Sequence, residues 1–153
     1  MWQNLKNKIV AILQANNLLQ EVYDYEIESF NGDPAATLTP STNESDYRST
    51  SENRRIYAFD LQLWVKRGKP TNSKKAEDTL TDLVDSVLDD FDRYFTLSQG
   101  SPGTLTLPTG YLIVRVQATP SSWFYVMREP GVWYRVAQVA LSVEVDVNVT
   151  QIT

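Results

Sequence analysis

The chain contains no cysteine and no histidine. Their absence removes disulfides, thiolate and imidazole metal ligands, cysteine and Ser-His nucleophile systems, and the usual general base near pH 7. Carboxylate, lysine, tyrosine and hydroxyl chemistry remain, but no motif gathers them into a catalytic signature. The stretch "GSPG" (Gly100 to Gly103) lacks the lysine and the strand-to-helix setting of a phosphate loop. A glycosidase-type carboxylate pair cannot be identified from spacing, because the separation of the two groups belongs to the fold. No enzyme activity, cofactor or metal is expected.

Long apolar runs are also missing. In "MWQNLKNKIVAILQANNLL", Gln14, Asn16 and Asn17 interrupt the apolar run from Ile9 to Leu13, which is too short for a signal peptide or a membrane span. The expectation is synthesis in a cytoplasm and no membrane partner. Positive charge is scarce: 14 Lys and Arg stand against 19 Asp and Glu, a formal net charge of −5. An overall field of that sign argues against gripping nucleic acid.

What is present is a globular composition. Over 153 residues, 42% are hydrophobic and 22% charged, enough for a single core in one domain, 1–153. Trp2, Leu5, Ile9, Ile12 and Leu13 recur at helical spacing and predict an amphipathic helix ending near Asn16. "EVYDYEIESF" (21–30) alternates and predicts a strand that stops at the turn signal Asn31-Gly32-Asp33-Pro34. "IYAFDLQLWVKR" (56–67) alternates again, with Tyr57, Phe59, Leu61, Leu63 and Val65 on one face.

The longest helix signal runs from Ala76 through Leu80, Leu83, Val84, Val87, Leu88 and Phe91 to Phe95, with Thr71, Asn72 or Ser73 as its cap. Asp82, Asp85 and Asp89 share a face of it, and such a run reads as a solvated helix face in the absence of a calcium-loop pattern. "YLIVRVQA" (111–118) and the segment 133–148 complete the pattern, the latter apolar on one face from Trp133 to Val147 apart from Arg135. Alternation this clean indicates an antiparallel sheet with one wet face. The expected fold is α+β: a two-layer sandwich of a roughly four-stranded, mainly antiparallel sheet with both helices on one face.

Two segments are left over. Phe30 to Arg55 has only Phe30, Leu38 and Tyr47 as large apolar residues, and residues 31–55 read as a polar arm, a long loop or an extended hairpin. "SSWFYVMREPGVWYRVA" (121–137) concentrates aromatics beside Arg128 and Arg135, the composition of protein contact sites. A hairpin turning at Pro130-Gly131 with core-filling aromatics is the alternative, and Trp133 continues the apolar alternation. Trp123 and Arg128 lean toward contact. For Arg54 and Arg55, beside Glu52, a salt bridge is favoured over nucleic-acid contact.

The strings "GDPAATLTPSTNESDYRSTSENRRIYAFDLQLWV", "LVDSVLDDFD" and "SSWFYVMREPGVWYRVAQVALSVEV" together resemble the tail terminator (tail completion) proteins of long-tailed bacteriophages and prophage elements, over about Gly32 to Val147. The resemblance implies a virion subunit that forms a ring, commonly a hexamer, on the head-proximal end of the tail tube. Such a ring ends tube polymerisation, meets the head-tail connector or stopper protein, and leaves a passage for DNA that slides without specific binding. Head-tail stopper (neck) and tail tube proteins have a similar texture and remain alternatives, as do a non-phage protein-binding adaptor and a carboxylate-dependent enzyme.

On the ring reading, the subunit or partner contacts fall to Tyr47, Arg54, Arg55, Trp64, Trp123, Tyr125 and Arg128. The wet-face residues Asp60, Gln62, Glu144 and Asp146 are candidates to line the DNA passage, with the acidic face of the second helix as the other choice.

Overall fold

The computed structural model describes residues 1–97 and 100–150; Ser98 and Gln99, which open the stretch 98–110 whose Gly, Pro, Ser and Thr content reads as a loop, lie outside the described residues. Helix α1 (Trp2–Gln14) and helix α2 (Ser73–Arg93) accompany strands β1 (Glu21–Tyr23), β2 (Ala35–Tyr47), β3 (Glu52–Lys66), β4 (Tyr111–Glu129) and β5 (Val132–Asn148). The strands form one mixed sheet in the order β1-β2-β3-β5-β4, antiparallel throughout except for the β1–β2 pair.

Period-two alternation divides the sheet into two unlike faces. Tyr57, Phe59, Leu61, Leu63 and Val65 of β3 lie on the face of Val139, Leu141, Val143, Val145 and Val147 of β5, and α1 and α2 cover them to form the main core. The helices earn that position by their own stripes, Leu5-Ile9-Ile12-Leu13 on α1 and Leu80-Leu83-Val84-Val87-Phe91 on α2, all buried. Trp2 meets Tyr57 and Phe59 edge-on, with centroids 5.0 and 5.2 Å apart. Asn16 ties the two helices together, its Nδ2 donating to Ser86 Oγ and Asp90 Oδ2.

Three expectations need correction. The sheet has five strands where roughly four were expected, because 31–55 takes the extended-hairpin alternative and supplies β2, the first arm of a β2–β3 hairpin that turns at 48–51. Only Ala35 to Leu38 of β2 are buried; the exposed residues beyond them remain strand because ladder hydrogen bonds to β3 need no apolar side chains. The strand expected over 21–30 is only Glu21–Tyr23, since β2 offers it just three partners. Finally, β4 does not stop at Ala118 but continues through Pro120 to Glu129. It is an edge strand, where proline is tolerated beside a bulge, and its pairing shifts between Pro120 and Ser122.

Another shift, between Ile113 and Arg115, turns Ile113 and Val116 inward and leaves Leu112 63% exposed. Unbroken alternation would put Leu112 on one face with Val114, Val116 and Ala118. Phe95, added to the α2 stripe by its spacing, lies beyond the helix end at Arg93 and is exposed.

Candidate functional site

Three surfaces are left once the core is closed: the helix-free face of the sheet, the β2–β3 hairpin arm, and the β4–β5 hairpin end. The helix-free face carries Arg54, Asp60 and Gln62 of β3 and Gln138, Glu144 and Asp146 of β5, with Arg54 level with Asp146 and Gln62 with Gln138, while Asp60 faces Ala140 and Glu144 faces Ile56. Arg54 forks onto Asp146, with Nε to Oδ1 at 2.8 Å and Nη2 to Oδ2 at 3.1 Å. Glu144 lies between Arg54 (3.7 Å) and Arg115 (3.1 Å). Asp60 Oδ1 accepts from Gln138 Nε2 at 2.9 Å.

The four proposed passage-lining residues, Asp60, Gln62, Glu144 and Asp146, therefore share a face. Two of their three carboxylates are matched by arginines, but Glu44 and Asp46 of β2 stand level with Ile56 and Arg54 on the same face, so carboxylates still outnumber cations there. Asp82, Asp85 and Asp89 of α2 are exposed. Among the described residues no cluster of three or more acidic groups has the geometry to hold a metal ion.

The Arg54 guanidinium holds the Asp146 carboxyl below its ordinary value, chiefly by hydrogen bonding. A depressed folded-state value stabilises the fold above the unfolded aspartate pKa of about 3.9, and that stability is lost as pH falls through the lower folded value. The pair is partly solvated, so the effect is small. Urea midpoints followed from pH 5 to pH 2 are expected to fall less steeply in Asp146→Asn than in the native chain.

The helix-free face is not wet along its whole length. At the β1 end Trp64 is buried with Ala35, Tyr134 and Val136 in a second, smaller core, against which Tyr23, Phe30, Phe124 and Val126 pack. Trp64 is thus withdrawn from the expected contact residues: it is 1% exposed. Arg128, itself exposed, stacks over it with Cζ 4.5 Å from the ring.

Arg54 and Arg55 are likewise engaged within the chain. Arg55 donates to the hydroxyls of Tyr57 and Tyr111. Tyr47, near the tip of the arm, is 65% exposed.

At the far end of the sheet the β4–β5 hairpin, turning at Pro130-Gly131, outruns the helices. Trp123, Tyr125 and Met127 of β4 share a face with Trp133 of β5 and are all exposed. Trp133 was expected to join the core, and its alternation is indeed on the core side; no helix extends far enough to cover it. Arg135 pairs with Glu77 at 2.7 Å and lies over Tyr125. Arg67 lies over both Tyr125 and Trp133.

Among solved structures the fold is similar to a chain in the virion of a native gene transfer agent particle, with 14% sequence identity, a TM-score of 0.52, and coverage of 92% of this chain and 94% of that chain. At that identity the likeness is one of fold. No family model and no curated protein sequence matches this chain.

Sequence reasoning missed Met127 and Arg67. Met127 was legible in principle, as the next member of the Trp123-Tyr125 alternation, had the strand been carried past Pro120. Arg67 had no such signal, since it follows the last paired residue of β3 and is held beside the aromatics by its own backbone N–H, which donates to the Trp133 carbonyl at 2.8 Å. No helix among the described residues is long and apolar enough to cross a membrane.

Proposed function

We propose that the protein is a structural subunit of a phage-like virion, assembling as a ring on the head-proximal end of the tail tube. There it ends tube growth and offers a joining surface to the head connector or stopper. The observation that carries this reading is the near full-length likeness of fold to a chain of a gene transfer agent virion. The surfaces agree with it: a closed ring needs two different complementary patches on each subunit, and the arm and the aromatic hairpin end are different in chemistry and position. The helix-free face, with Arg48, Arg54 and Arg115 against Glu44, Asp46, Asp60, Glu144 and Asp146, keeps a modest acidic excess and would not hold a duplex sliding past it.

The test is direct. Purified protein mixed with tail tubes is expected, in negative-stain images, to cap one end of each tube with a single ring and to stop further polymerisation. Tubes that incorporate the protein along their length would reassign it as a tube protein, and binding to the connector alone would make it a stopper.

A deletion of Thr39 to Ser51 would be the simplest probe of the arm, but the register argues against it. Pro40 is level with Phe59 while Tyr47 is level with Asn53, so closing the gap would pull the first half of β3 off β5. Substitutions within the arm are the sound alternative.

A further inference from the structure

Arg67 is held in an unusual way. Its guanidinium lies 5.4 Å from the Tyr125 ring centre and 5.7 Å from that of Trp133, and its Nε is buried with no hydrogen-bond partner. A buried donor left unpaired is costly, and the guanidinium is held here by the two aromatic faces instead. Beside it opens a cleft of about 220 Å³ lined by Lys66, Arg67, Asn72 and Lys75, with Asp33 as its one carboxylate. Asp33 already accepts from the Lys66 backbone. The site is therefore cationic, and it is flanked by the exposed Trp123, Met127 and Trp133.

The complementary surface is on the same chain but out of its own reach. Residues 40–50 of the arm are exposed and carry Glu44 and Asp46, followed by Glu52, against Arg48, with Tyr47 projecting. The arm and Arg67 lie at opposite ends of β3, a strand of 15 residues, on the order of 45 Å apart at strand rise. Edge-to-edge strand addition is a poor alternative. The open edge of β2 is broken by Pro40 and a register shift, and that of β4 by Pro120 and three shifts, the devices by which edges are kept from pairing.

We propose that the acidic arm of a second copy of this chain docks on the Arg67–Tyr125–Trp133 site, its carboxylates pairing with Arg67 and Tyr47 anchoring against the aromatics. This contact deepens the ring reading and rests on it. A patch at one end meeting a different patch at the other is a heterologous contact, the kind that propagates head to tail and closes into a ring.

Charge exchange tests it. Three variants of the full chain are compared by sedimentation velocity and by ring formation on tail tubes: Arg67→Glu, Glu44→Lys/Asp46→Lys, and the combination of all three. Each of the first two is expected to weaken self-association at least tenfold, and the combination to restore it. The unfolding midpoint of each, with Arg67→Gln as a milder variant, separates lost contact from lost fold. Because the chain has no cysteine, Tyr47→Cys mixed with Met127→Cys adds an independent readout, a mixed disulfide in preference to either homodimer.

Rings that form undiminished in every charge variant, with no mixed disulfide, would overturn this contact and leave the ring standing. Absence of any closed oligomer, in solution or on tubes, would overturn the ring reading and the contact with it. Retention of the native chain by a short DNA duplex, lost in Arg67→Glu while rings persist, would reassign the site to phosphate.

Discussion

Replacing Trp64 with alanine is expected to lower stability by about 3 to 5 kcal/mol, the range for truncating a large buried aromatic. The indole is the centre of the second core. Phe30 lies 5.0 Å away and Tyr134 5.9 Å away, ring centre to ring centre, and Nε1 donates to Thr37 Oγ1 at 3.1 Å. Removing it leaves a cavity on a face with no helix to collapse into the space. It also unseats Phe30, which through Tyr23 (5.8 Å) is the link to β1. In urea the midpoint should fall with little change in slope, and Thr37→Val, which orphans the indole N–H, should cost about 1 to 3 kcal/mol. A Trp64→Ala chain that unfolds like the native protein but assembles poorly would restore Trp64 to the contact residues and remove the second core from the account.

The second large effect is expected at Lys8. Although on α1, it is buried, and its Nζ donates to the carbonyls of Ser101 (3.3 Å), Pro102 (2.8 Å) and Gly103 (2.9 Å). One ammonium thereby replaces water at three backbone acceptors and pins the α2–β4 loop to the first helix. Close approach also needs a glycine there: at Gly103 φ is 82° and an added Cβ would fall 2.5 Å from that of Ala11, while farther along the loop Asn4 Nδ2 donates to the Thr106 carbonyl at 3.0 Å. Lys8→Met keeps the stem's packing and removes the donors, so a loss of roughly 2 to 3 kcal/mol is expected. Amide exchange should quicken first over 100–107, before any global change.

Burial also pushes the Lys8 ammonium below the ordinary lysine value. With the folded-state value below the unfolded one, the Lys8 contribution rises as pH climbs through the folded value toward about 10.4 and is level beyond. The native chain should show that alkaline slope in its unfolding midpoint, and Lys8→Met should lack it. Equal slopes in the two chains would mean that Lys8 is not the group responsible.

Side-chain period alone determined much of this molecule. The stripes of α1 and α2, the alternation of β3 and β5, and the side of the sheet that faces the helices follow from where apolar residues recur, because burial is the largest favourable term and periodicity dictates which side chains can share it. The absence of cysteine and histidine narrowed the chemistry in the same direct way.

Tertiary structure alone decided the rest, wherever the relevant force was pairing and not burial. Beyond Leu38 the arm is a strand because β3 offers ladder partners to exposed residues with nothing to bury; β4 runs past Pro120 because its outer edge has no neighbour needing that missing N–H. Trp64 and Trp133 exchanged their expected roles, one enclosed by Phe30 arriving from a distant segment, the other left open because α2 begins too late to cover it. Which residues are covered depends on how far each layer extends, and that length is a property of the assembled fold.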